Sequence, residues 1–116
     1  MKISEIKDLL GASVVAGDGL LEDEVSSACS SDMMSDVLAF VKDQGLLLTG
    51  LVNSQVIRTA EMMDMRAVVI VRGKKATEDM KKLADISSIV LMESSMRMYD
   101  ACGKLHEAGL RGTAVN

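Results

Sequence analysis

From Val25 onward, short apolar runs alternate with amphipathic stretches. Val25–Cys29, Leu46–Leu48, Ala67–Val71 and Ser88–Met92 read as strands, and their starts lie 21 residues apart. Between and after them, Met34, Val37, Leu38 and Val41 share one helical face, as do Val56, Ile57, Ala60 and Met63. So do Met80, Leu83 and Ala84, and later Met98, Ala101, Cys102 and Leu105. This i, i+3, i+4, i+7 spacing predicts helices that cover a core. Ala67–Val71 and Ile89–Met92 are apolar at every position, as strands with helices on both sides must be. Upstream, Ile3, Ile6, Leu9 and Leu10 predict a helix capped by Ser4 and ended by Gly11. A strand over Ala12–Ala16 and a turn at Gly17-Asp18-Gly19 follow.

A 21-residue period also suits a leucine-rich solenoid. The L-x-x-L-x-L-x-x-N pattern is absent, however, and the helices are too long. Serial strand–helix units predict an α/β fold instead, with a mostly parallel sheet, helices on both faces and about four such units. Nothing divides residues 1–116, so a single domain is expected, with the tail 110–116 frayed. Gly45 is expected to close the first repeat helix as a left-handed cap. The helix ending near Asp64 to Arg66 has no glycine for that purpose.

Composition narrows the function classes. A net charge of −4 argues against nonspecific binding to nucleic acid or an anionic membrane. Phe40 and Tyr99 are the only aromatic residues, so no base-stacking platform exists. No apolar run is long enough to span a bilayer, and Glu5 and Asp8 interrupt any signal-peptide core. Cys29 and Cys102 form neither a disulfide framework nor a metal motif, and a reducing, cytoplasmic setting is expected. The ten methionines suit core filling in a chain this poor in aromatics, or an adaptable binding surface.

The strand ends carry the candidate chemistry. They hold Ser30-Ser31-Asp32, then Thr49-Gly50 with Asn53-Ser54, then Arg72-Gly73-Lys74-Lys75 with Thr77, then Glu93-Ser94-Ser95. In an open α/β sheet these ends share one rim, where ligands bind. Hydroxyls, helix N-termini and cations there suit a nucleotide or another phosphorylated ligand. The candidate ligand-binding set is Ser31, Asp32, Thr49, Gly50, Asn53, Arg72, Lys74 and Ser94. Helix capping alone also explains Ser, Thr, Asp and Asn at such places, with Asp32 capping its own helix. Neither G-x-x-x-x-G-K nor G-x-G-x-x-G occurs, so no cofactor is expected. His106, the sole histidine, has no paired nucleophile, and no catalytic or metal-binding set emerges.

The stretches Ser31-Asp32-Met33-Met34-Ser35-Asp36-Val37-Leu38, Gly45-Leu46-Leu47-Leu48-Thr49-Gly50-Leu51, Ala67–Val71 and Met92-Glu93-Ser94-Ser95 resemble the DRTGG domain family. Asp32 matches the aspartate, and Thr49-Gly50 match the threonine and first glycine. Met33 stands where arginine is expected and Leu51 replaces the second glycine. The resemblance implies an α/β fold similar to the N-terminal domain of bacterial HPr kinase/phosphorylase, without its kinase domain. It implies a regulatory or assembly module, not an enzyme, associating as a homodimer. Losing the arginine removes a charge that could hold an anion, Leu51 adds a side chain where a backbone could approach a ligand, and both departures favour an interaction surface over a ligand. Two alternatives remain. One is a small enzyme using Arg72, Lys74 and Lys75 on a phosphorylated substrate with Asp32 as base. The other is a structural subunit docking through Met62, Met65 and Met96.

Overall fold

A computed structural model describes residues 1–40 and 45–112. In chain order the elements are α1 (Ile3–Leu10), β1 (Ser13–Ala16), β2 (Ala28–Ser30), α2 (Met34–Phe40), β3 (Leu46–Thr49), α3 (Ser54–Met62), β4 (Ala67–Ile70), α4 (Glu78–Ile86), β5 (Val90–Glu93) and α5 (Met98–Glu107). The described strands form one sheet in the order β1-β5-β4-β3-β2. β2, β3, β4 and β5 are parallel neighbours, and β1 runs antiparallel on the far side of β5. The β1 register shifts between Val14 and Ala16, a bulge on an edge strand.

Each successive parallel strand is laid down on the same side of the last one. Crossovers of one hand therefore carry α2, α3 and α4 to the same face. Packing shows it. Met34, Val37, Val56, Ile57, Ala60, Met80 and Ala84 bury against Leu47, Val68, Ile70 and Leu91. On the other face, Ile3, Ile6 and Leu10 of α1 join Ala101 and Leu105 of α5 over Leu46, Leu48, Val69 and Met92. Leu46, Leu47 and Leu48 are all buried because the sheet is covered on both sides.

Several local expectations change. The β2 ladder starts at Ala28, and Val25 instead pairs with the chain's beginning, donating its N–H to the Met1 carbonyl at 2.8 Å. β5 starts at Val90, because Ser88 turns with φ +57. Ser4 does not cap α1. The Ile3 and Ser4 N–H groups reach the Asp23 and Leu21 carbonyls, both at 2.9 Å, and Glu5 accepts the Lys2 N–H at 3.0 Å. Gly11 does end α1 in the left-handed conformation, φ +56. Gly45 is not left-handed. It is buried, and an added Cβ would strike the Ser27 carbonyl, so glycine is needed for close backbone approach. Val41 lies outside the described residues. After α3, Asp64 takes the left-handed position itself, φ +53. At the tail, Leu110 is buried and the Arg111 carbonyl accepts the Ala28 N–H at 3.0 Å, so these two residues are tied down rather than frayed. Residues 113–116 lie outside the described set. Of the methionines expected at a docking surface, Met62 is exposed, Met96 is half-buried and Met65 is buried in the core.

Candidate functional site

The parallel strands bring the ends of β2, β3, β4 and β5 to one rim, as expected. Asp32 is its hub. Its Oδ1 accepts the Gly50 N–H at 2.7 Å and the Thr49 hydroxyl at 3.2 Å. Its Oδ2 accepts Nη2 of Arg72 at 3.1 Å. Thr49 Oγ1 in turn accepts the Leu51 N–H at 3.1 Å. The Gly50 N–H, followed by the Arg72 and Thr49 donors, holds the Asp32 carboxyl below the usual carboxylate range despite opposing desolvation. Asp32 is thus not the helix cap. Ser31 Oγ accepts the Met33 N–H at 2.9 Å, a serine turn that leads into α2.

Arg72 reaches Asp32 from a turn in which it and Gly73 are both left-handed, φ +66 and +72. Positive φ at both central residues is the signature of a type I′ turn. For an arginine this conformation costs on the order of 1–2 kcal/mol. Its surroundings hold it there: the Arg72 N–H donates to the Met96 carbonyl at 2.7 Å and the Gly73 N–H to the Ser94 carbonyl at 3.0 Å. The guanidinium lies where a Cβ on residue 50 would sit, which gives Gly50 its reason. Met33 is exposed, and Arg72, 40 residues along from Asp32, supplies the guanidinium.

The other expected residues divide by role. Asn53 caps α3, accepting the Gln55 N–H at 2.9 Å. Ser94 is buried, donating to the Leu10 carbonyl at 2.8 Å and accepting the Met96 N–H at 3.2 Å. Thr49 is also buried. Lys75 lies 3.7 Å from Glu93, whose other oxygen accepts the Ala76 N–H at 2.7 Å. Lys74 is exposed and makes no ion pair among the described residues. The accessible chemistry of the rim is thus the outer side of Arg72, Lys74 and the exposed part of Asp32.

Two features escaped the sequence. A recess of about 800 Å³ is at the opposite rim, and Asp23, Glu24, Glu61, Asp64 and Arg66 help to line it. Its parts come from the loop after β1 and from the α3–β4 and α4–β5 connections, which only the sheet order brings together. A smaller recess of about 140 Å³ is lined by both Cys29 and Cys102, beside His106. Cys29 belongs to the edge strand β2 and Cys102 to α5, and the two elements meet at this recess. Burial pushes the Cys29 thiol up to about 11. No group of three metal-ligating side chains occurs among the described residues.

No family model matches the sequence, and no curated protein matches it significantly. The fold itself is DRTGG-like. It is similar to the solved structure of the CBS and DRTGG domains of the regulatory region of Clostridium perfringens pyrophosphatase, complexed with the activator diadenosine tetraphosphate. The TM-score is 0.71 and the identity 11%, over 90% of this chain and 45% of that one. The present chain therefore spans less than half the length of that regulatory region.

Proposed function

We propose that the chain is a non-catalytic regulatory module that binds a nucleotide or another phosphorylated small molecule at the rim around Arg72. The observation that carries this reading is the guanidinium itself, strung across the ends of β2, β3 and β4 and half exposed. Among the described residues only its Nη2 is used, on Asp32, which leaves donors of its five-hydrogen fork for a phosphate. Lys74 stands two residues on as a second cation. The regulatory region with a similar fold is complexed with a nucleotide activator, which supports the same ligand class here. Use of Asp32 as a general base is disfavoured, because both its oxygens already accept hydrogen bonds and its lowered pKa makes it a weak base.

Thermal melting with adenosine mono-, di- and triphosphates and diadenosine tetraphosphate tests this. A ligand at about ten times its Kd stabilises by about 1.4 kcal/mol, which raises Tm by several degrees in a domain of this size. The expected result is such a rise for at least one compound, lost in Arg72→Ala and weakened in Lys74→Ala. No shift at millimolar ligand, or an unchanged shift in Arg72→Ala, would overturn the reading.

A further inference from the structure

Helix α5 buries Ala101 and Leu105 against the sheet and turns the opposite side to solvent. On that side Tyr99 is 88% exposed, one helical turn before Gly103. Both line a shallow recess of about 460 Å³ with Met96, Asp100, Lys104 and Glu107. Glycine is the weakest helix former after proline, so one in mid-helix needs a reason. Gly103 does not have positive φ, and nothing lies within 4 Å of an added Cβ. Neither backbone conformation nor packing within the chain requires glycine there. What its missing side chain provides is a notch, beside an aromatic ring that projects into water.

A projection and a notch one turn apart on the same helix complement each other across a two-fold axis. We propose that this face of α5 is the surface through which two copies of the chain associate, with the two α5 helices antiparallel and Tyr99 of each set against Gly103 of the other. The charges select that direction. In an antiparallel pair centred near residues 101 and 102, Asp100 faces Lys104 of the second copy and Arg97 faces Glu107. In a parallel pair, Asp100 would face Asp100 and Lys104 would face Lys104. None of Arg97, Asp100, Lys104 and Glu107 makes an ion pair among the described residues, so all four are available. One helix face is a small interface, so association is weak and depends on concentration. The proposal is independent of any ligand at the Arg72 rim.

Sedimentation equilibrium from about 10 μM to about 1 mM protein, a range that spans weak association, reads it directly. The wild type is expected to dimerise across this range. Asp100→Lys and Lys104→Asp should each weaken the dimer at least about tenfold, while the Asp100→Lys/Lys104→Asp double variant regains it. Gly103→Trp should be monomeric with an unchanged far-ultraviolet circular dichroism spectrum, since its Cβ enters open space. A wild type that stays monomeric at 1 mM, single charge reversals that leave the dimer intact, a double variant that fails to regain it, or a dimeric Gly103→Trp would each overturn the proposal.

Discussion

The Asp32 carboxylate takes a backbone N–H, a hydroxyl and a guanidinium, and so joins the ends of three strands. Its folded pKa lies below the unfolded value near 3.9. The ionised form is therefore the one the fold favours. The stability it contributes is present above about pH 4 and is lost as pH falls through the lowered folded value. Because the side chain is 46% exposed, screening limits the contribution to about 1 kcal/mol. Melting curves of wild type and Asp32→Asn should accordingly converge as pH falls from about 5 to 2, and parallel curves over that interval would contradict the account. Asp32, Thr49 and Gly50 were legible as neighbours on one rim because each follows the end of an expected strand. The Arg72 contact was not, since it depends on a left-handed turn that an Arg-Gly pair permits but does not announce. Nor was the burial of Thr49 and Ser94, because a hydroxyl can be consumed inside the fold as readily as offered to a ligand.

Among the elements, the helices and the apolar strands followed from periodicity, and their packing faces came with them except at Leu38, which is exposed. Strand direction did not. Ser13–Ala16 reads as a short strand in either sense, and only its pairing with Glu93, Met92 and Leu91 makes it antiparallel. Boundaries also shifted where the backbone uses left-handed residues that sequence does not favour: Ser88 delays the start of β5, and α3 stops at Met62, ahead of Asp64. Gly45 shows the difference between a glycine's two uses. Read as a cap, it would tolerate alanine at the expense of positive-φ strain. Observed in an ordinary conformation against the Ser27 carbonyl, it is fixed by the approach of two backbones. A backbone oxygen cannot swing aside, so Gly45→Ala should destabilise the fold by about 1–3 kcal/mol in urea denaturation. A change below about 0.5 kcal/mol would show that β2 and β3 relax apart freely.

The whole molecule presents two rims of opposite character. At the N-terminal ends of the parallel strands, carboxylates of Asp23, Glu24, Glu61 and Asp64 surround a recess of about 800 Å³. At the C-terminal ends, Arg72, Lys74 and Lys75 outnumber Asp32 and Glu93. Shape alone would choose the first rim, whereas the charge of a phosphate chooses the second. No described helix is long and apolar enough to cross a membrane. The most direct measurement is therefore an amide chemical-shift titration of the labelled protein with diadenosine tetraphosphate. The account expects the largest saturable shifts at Asp32, Gly50, Leu51, Gly73 and Lys74. Shifts centred on Arg66 and Ser88 at the acidic rim, or no saturable shifts at millimolar ligand, would contradict it.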